Sequence, residues 1–314
     1  MLSIPGFSRL AWSQSGDWPS REIHAICMFA PGTSPDVFTR HVGKQIQDAF
    51  GKPVIVENKV GAFGNIATEY VAKARPDGYT IYIAPGSSVF AAAPHLFKKL
   101  PYDPLNDFDH ITTVARLPFL LLVSGNSPYK TVADLVADLK QKGDTASYGS
   151  VANTGLVGSE LFKAQFGLKT LEVKYKDPFT LMQDIWGGNL AFFHLDAATV
   201  DAHLKTGKLR ALSTTSQDRA KATPDIPSAR ETGIVNSDMY AWWSVHTPKG
   251  TPKPILDKLE RWFNEFVASD AGQKFMTEFK WDPFPGNSKE LKELIVKETK
   301  VWGDYVKLAH IEAQ

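Results

Sequence analysis

The chain repeats one local pattern along its length, in which an apolar strand ends in a small, polar turn that opens a helix. The first copy is an apolar run at residues 24–30, after which Ser34 is a good helix N-cap and Pro35 suits the first helical position. The pattern returns after the strands predicted at residues 79–84, 146–150 and 190–195. Strands that alternate with helices indicate parallel sheets with helices on both faces. The sequence therefore predicts an α/β fold.

Length and the placement of the helices indicate two α/β domains. The chain has 314 residues, enough for about two domains of roughly 150 residues each. After two strand–helix blocks, long helical patterns at 255–268 and 289–308 carry large apolar residues that need a partner face, namely Trp262, Phe266, Leu294 and Trp302. We expect these helices to pack on the first domain.

The predicted first domain is therefore 18–122 with 245–314, and the predicted second domain is 123–244, with crossings near 117–123 and 241–250. Residues 1–17 are expected to be a disordered or trimmed leader. Their apolar stretch is interrupted by Pro5 and Gly6, and the first basic residue is Arg9, so they do not form a clear signal peptide.

Composition excludes several classes of protein. Lys and Arg number 35 and Asp and Glu number 34, giving a net charge of +1, which argues against a strongly basic nucleic-acid binder. The chain has one cysteine, Cys27, so it has neither an internal disulfide framework nor a cysteine-rich metal site. No apolar run of about 18 residues, the length that spans a membrane, is present.

Signals for catalysis or for a cofactor are weak. The sequence has no G-x-S-x-G nucleophile elbow, no P-loop and no H-E-x-x-H motif. His194 and Asp196 could ligate a metal or act as acid and base, although such a pair is more often structural. Gly61 and Gly64 lack the G-x-G-x-x-G arrangement of a dinucleotide site. We therefore predict no cofactor, no metal and no enzymatic activity.

The turns after the strands suit a small anion. Four of them, at 30–36, 85–88, 151–155 and 196–199, are rich in small and hydroxyl residues, and none contains Lys or Arg. In a doubly wound sheet such turns meet at the carboxyl ends of the strands, where helix N-termini favour negative charge. Neutral donors should then hold the anion, and we expect the Ser87 hydroxyl to be one of them. The pair Trp242 and Trp243 could be either core or a platform for the ligand.

Motifs along the chain resemble one family, the Bug/TctC-type solute-binding receptors of tripartite tricarboxylate transporters. The resemblance extends from residue 18 to the C-terminus. It rests on the segments 18–20, 29–32 with Asp36 and Arg40, 54–58, 61–65, 76–80, 100–104, 107–108, 160–162, 175–176, 187–188, 207–212, 224–227 and 248–252.

This resemblance implies a two-domain, clamshell periplasmic-binding-protein fold that closes on a small carboxylate. The expected ligand-binding residues are Phe29, Ala30, Gly32, Thr33, Ser34, Asp36, Gly86, Ser87, Ser88, Asn153, Thr154, Tyr175, His194, Asp196, Thr199 and Trp242. In the first loop, Pro31 and Pro35 stand where the family usually has amide donors, so recognition there should depend more on Thr33 and Ser34.

The resemblance further implies a monomeric periplasmic receptor that delivers its ligand to the membrane subunits of a transporter. A sensory receptor for a carboxylate is the alternative, and an α/β enzyme using His194 with Asp196 is a third reading. Aromatic residues that could border the cleft favour a ligand with one or two carboxylates and an apolar or aromatic body over a tricarboxylate: Phe29, Phe63, Phe90, Phe119, Trp242 and Trp243. The alternative is that most of these aromatics are core.

Overall fold

A computed structural model of the protein describes residues 18–235 and 237–313. The expected leader at 1–17 lies outside the described residues. The strands are β1 Ile23–Cys27, β2 Val54–Asn58, β3 Thr80–Pro85, β4 Phe108–Ser124, β5 Ser147–Ser150, β6 Leu171–Lys174, β7 Phe192–Asp196, β8 Leu209–Thr214, β9 Tyr240–Pro248 and β10 Asp282–Pro283. The helices are α1 Ser34–Phe50, α2 Asn65–Ala72, α3 Ala93–Leu96, α4 Val132–Lys142, α5 Asn153–Phe166, α6 Pro178–Trp186, α7 Ala197–Lys205, α8 Lys253–Ala268, α9 Asp270–Glu278 and α10 Ser288–Leu308.

The strands form two lobes that share the long strand β4. In the first lobe the order is β2-β1-β3-β9-β4, with β1 parallel to both β2 and β3. In the second lobe β4 pairs with β7 and β8, and β5 lies parallel to β6 and β7. The alternation of strands and helices thus gives parallel pairing within each lobe, and antiparallel strands join the two.

The chain passes between the lobes at two neighbouring places. Within β4, Pro118 pairs with Tyr240 of the first lobe, while Phe119 already pairs with Asp196 of the second. The return runs from the end of β8 at Thr214 to the start of β9 at Tyr240. Since β9 pairs with β4 from Tyr240 and with β3 from Trp243, we propose that the second crossing lies before Tyr240, ahead of the boundary expected at 244–245.

Helix boundaries follow local signals in the sequence. Helix α1 begins at Ser34 and ends before Gly51, which takes a left-handed conformation (φ 69°). Its N-cap is Thr33, one residue earlier than the sequence predicts. Helix α4 has the expected capping box, in which Thr131 and Asp134 each accept from the other's backbone amide.

The C-terminal helices pack on the first lobe, as expected from their apolar residues. Phe263 and Phe266 of α8 join the core that contains β1, β3 and β9, and Trp302 of α10 joins a second core beneath the π-helical turn Ser87–Ala92. None of the helices in the described part of the chain is long and apolar enough to span a bilayer. Within that part, no three His, Cys, Asp or Glu side chains are grouped as a metal site would require.

Candidate functional site

A cleft between the lobes gathers the turns that follow several parallel strands. Ligands bind at this position in open α/β sheets, because the carboxyl ends of the strands leave a crevice there. The polar residues that line it are Thr33, Ser88, Thr154, Lys176, Asp196 and Thr199. The larger apolar residues that line it are Phe29, Leu117, Phe119, Leu195, Trp243 and Trp281.

Two helices begin at the cleft, one from each lobe, with N-termini that no side chain caps. Thr33 is the N-cap of α1 and Ala152 that of α5, and neither side chain accepts a hydrogen bond from its helix. The first amides of a helix have no partner within it and carry partial positive charge. The two helix ends therefore offer donors to an anion from both sides of the cleft.

Helix α7 differs from α1 and α5 because a carboxylate of the protein itself, that of Asp196, caps its N-terminus. Asp196, its N-cap, accepts from Thr199 N at 2.9 Å and from Thr199 Oγ1 at 2.7 Å. Ser34 Oγ of the first lobe donates to Asp196 Oδ1 at 3.0 Å, so this carboxylate also joins the two lobes. Burial raises the pKa of Asp196 above its ordinary value, although Thr199 and Ser34 donate to it. A ligand carboxylate is thus expected to avoid this end of the cleft.

The hydroxyl of Ser88 is a buried donor with no partner. Ser88 is 1% exposed, lines the cleft, and its Oγ forms no hydrogen bond with any residue the structure describes. By contrast, Thr33 Oγ1 donates to Ala30 O at 2.7 Å, and Ser34 Oγ donates to Asp196. A buried hydroxyl without a partner costs free energy, so Ser88 is a position where a ligand oxygen would be stabilising.

An aromatic wall forms the apolar side of the cleft. The rings of Trp243 and Trp281 stack with centroids 5.1 Å apart, and the Phe29 ring lies 6.0 Å from that of Trp243. Phe38 packs behind both tryptophans in the first core. This wall is apolar and backed by the core, and it suits the hydrocarbon part of a ligand.

The structure brings seven of the sixteen expected ligand-binding residues to the lining of this cleft: Phe29, Ala30, Thr33, Ser88, Thr154, Asp196 and Thr199. The others lie behind the lining or beside it: Gly32, Ser34, Asp36, Gly86, Ser87, Asn153, Tyr175, His194 and Trp242.

The alternation of side chains along β9 decides which of Trp242 and Trp243 lines the cleft. Neighbouring residues of a strand point to opposite faces, so Trp243 lines the cleft while Trp242 enters the core beneath the π-helical turn. Ser87 Oγ accepts from Trp242 N at 3.3 Å, and a Cβ at Gly86 would come within 1.9 Å of the Trp242 ring. Ser87 and Gly86 therefore support β9 and do not face the cleft.

Asp36 and Asn153 position the loops of the cleft. Asp36 accepts from Gly32 N at 2.9 Å, from Arg40 Nε at 3.0 Å and from Asn58 Nδ2 at 2.7 Å. Burial alone would raise the pKa of Asp36, but these hydrogen bonds hold it below its ordinary value. Asn153 Nδ2 donates across the cleft to the backbone oxygen of Ser88 at 3.3 Å.

His194 and Tyr175 are bonded within the second lobe. Ser159 Oγ lies 2.9 Å from His194 Nδ1, and burial lowers the pKa of His194 to about 3. Tyr175 donates its hydroxyl to Asp184 Oδ2 at 2.5 Å and borders a groove beside the cleft. Among the described contacts, no hydrogen bond joins His194 to Asp196, which is bonded instead to Ser34 and Thr199.

Among the lining residues that sequence reasoning missed, Trp281 and Lys176 have the largest side chains. Trp281 comes from the C-terminal segment before β10, far from the strand-to-helix turns that guided the prediction. Lys176 follows β6 in a turn that was not among the four chosen, although it directly follows Tyr175. The four turns do lack Lys and Arg, but the cleft has a basic residue at its edge.

Comparison with known proteins identifies the family. The sequence model described as "Tripartite tricarboxylate transporter family receptor", TctC, matches residues 38–310. The chain belongs to this family. TctC receptors are named for transport and not for catalysis, which agrees at the level of the family with the scarcity of catalytic motifs.

Solved structures resemble this TctC chain over nearly its whole length. R. palustris Rpa4515 with adipate is 29% identical with a TM-score of 0.90, covering 95% of this chain and 100% of that one. The periplasmic binding protein BugD is 27% identical with a TM-score of 0.87, covering 95% and 100%. MatC from Rhodopseudomonas palustris with bound malate is 25% identical with a TM-score of 0.85, covering 92% and 100%. The expected two-domain fold and the Bug/TctC resemblance are confirmed.

Proposed function

We propose that the protein is a monomeric periplasmic receptor that captures a small organic carboxylate in the cleft and delivers it to the membrane subunits of a tripartite transporter. The observation that carries the proposal is the unpartnered Ser88 hydroxyl in a cleft at which α1 and α5 begin uncapped. The family and the adipate and malate in two related structures support a carboxylate as the ligand.

These groups support the binding of one carboxylate beside Ser88. Ser88 Oγ supplies a hydroxyl donor, and the amides at the start of α5, next to Thr154, supply partial positive charge. In the first loop Pro35 has no N–H, so the first turn of helix α1 has one backbone amide fewer to offer to an anion. The Thr33 hydroxyl already donates to Ala30 O and the Ser34 hydroxyl to Asp196, so Ser88 and the start of α5 supply the main donors.

The aromatic wall suits the rest of the ligand. Phe29, Phe119 and Trp243 offer apolar surface, and Asp196 already occupies the anion position at α7. A third carboxylate would meet either apolar rings or a buried acid. The cleft thus favours a mono- or dicarboxylate with an apolar or aromatic body over citrate.

A thermal-shift and competition series tests this function. The acids are citrate, succinate, adipate, benzoate and an aromatic dicarboxylate, with adipamide as an uncharged control of the same length as adipate. A ligand at 100 times its dissociation constant should add about 2.7 kcal/mol of stability. We expect an acid with an apolar body to be strongest and adipamide to have no effect. Tightest binding by citrate or succinate would contradict the ligand class, and no binding by any acid would contradict the function.

A further inference from the structure

Two grooves open from the cleft, and their charges differ. The first, which we call the lysine groove, shares Phe29, Val151 and Lys176 with the cleft and is also lined by Phe63 and Lys174. Among the described residues that line it, none is acidic.

The second groove shares Thr33 and Thr199 with the cleft, and its charged lining residues are Asp201 and Glu278. Each of these acids pairs with a lysine of its own helix, Lys205 and Lys274, that does not line the groove. Of these two grooves, it is therefore the lysine groove whose described lining residues offer positive charge to an anion that extends out of the cleft.

Lys176 stands where the cleft joins the lysine groove. Its side chain is exposed and forms no ion pair or hydrogen bond with any residue in the described part of the chain. Its neighbour Lys174 differs, because it lies 3.9 Å from Glu172 Oε2 and 5.8 Å from the Phe63 ring. Lys176 is also the one basic residue among those described that line the cleft itself.

We propose that Lys176 binds the distal acid group of a dicarboxylate whose first carboxylate lies at Ser88, which makes Lys176 a specificity-determining residue. The inference rests on the proposed function and extends it. Phe29 and Val151 line both spaces, so the hydrocarbon part of the ligand crosses apolar surface on its way to Lys176. A flexible ammonium with three donors can follow diacids of different length.

Calorimetric titration of adipate and hexanoate tests the role of Lys176. The two acids share a six-carbon chain, and only adipate carries the second carboxylate. Lys176→Met keeps an unbranched apolar stem and removes the charge, Lys176→Arg keeps the charge, and Lys174→Met is the matched control in the same groove. We expect Lys176→Met to weaken adipate binding about 5- to 10-fold, a loss that lies between the usual contribution of an exposed ion pair and that of a charge-assisted hydrogen bond. Hexanoate binding should weaken less than about 2-fold, because hexanoate has no second carboxylate.

The same titration separates the two proposals. Near-wild-type adipate binding by Lys176→Arg, with no selective loss in Lys174→Met, would support the assignment to Lys176. Equal losses for both acids in Lys176→Met, or no loss for adipate, would overturn this inference while leaving carboxylate capture intact. A wild-type protein that binds neither of these acids nor any other of the thermal-shift series would instead contradict the proposed function.

Discussion

Replacing Ser88 with alanine should weaken ligand binding without weakening the fold. Ser88 lines the cleft, and its hydroxyl is buried and has no partner among the described residues. Its removal takes a donor from the bound carboxylate. In the ligand-free protein, it takes away only a polar group that was buried without compensation.

The size of both effects follows from this geometry. A hydrogen bond to a charged group contributes about 1.5–3 kcal/mol, so the Kd for adipate should rise roughly 10- to 150-fold. The free energy of unfolding of the ligand-free protein should stay the same or rise by up to about 1 kcal/mol. Calorimetry measures the first quantity and urea unfolding the second.

Ser87 provides the matched comparison one residue earlier. Its Oγ accepts from Trp242 N, so Ser87→Ala leaves a buried amide without that acceptor and should destabilise the fold by about 1–3 kcal/mol. Its effect on adipate affinity should be small, because the hydroxyl does not line the cleft. The sequence predicts that the Ser87 hydroxyl binds the anion, whereas the structure indicates that the loss of affinity should follow removal of the Ser88 hydroxyl. Unchanged affinity in Ser88→Ala, or a greater loss in Ser87→Ala, would refute this reasoning.

Three further predictions concern pH, charge and the aromatic wall. Burial lowers the pKa of His194 from 6.5 to about 3. Neutral His194 therefore contributes fully to the free energy of unfolding above about pH 6.5, and below that pH the contribution falls by about 1.4 kcal/mol for each pH unit. His194→Gln should therefore flatten the decline in unfolding free energy between about pH 7 and pH 5 in urea titrations, and equal slopes would contradict this. Asp196→Asn keeps an oxygen that accepts from Ser34 Oγ and Thr199 N, and it removes a buried negative charge that would repel the ligand carboxylate. Calorimetry should therefore show tighter adipate binding, by about 1 kcal/mol. Weaker binding would count against this repulsion. Phe29→Leu should weaken binding of adipate more than that of succinate in the same assay, and equal losses would place the longer chain elsewhere.

The sequence predicts the fold well because its signals are local. Gly51 and the Thr131 capping box mark helix ends within a few residues of where the structure has them. The apolar faces of the C-terminal helices correctly indicate that they pack on the first lobe. The second crossing is harder to place, because the pairing of β9 with β4 from Tyr240 onward is a long-range contact that no local pattern encodes.

The site is predicted less completely because its details depend on orientation. Residues of the four turns do line the cleft, but which hydroxyl stays free depends on contacts with other elements: Ser34 and Ser87 have partners there, and Ser88 has none among the described residues. Alternation along β9 would have separated Trp242 from Trp243, had the strand's register been known. Trp281 carries no signal of its own, since it reaches the cleft only through the packing of the C-terminal segment.

A crystal structure of the protein grown with adipate tests the central claim most directly. The account predicts one molecule between the lobes, with a carboxylate oxygen at hydrogen-bond distance from Ser88 Oγ and the carbon chain against Phe29 and Trp243. Adipate bound outside the cleft, or within it with Ser88 Oγ still unpartnered, would contradict the account.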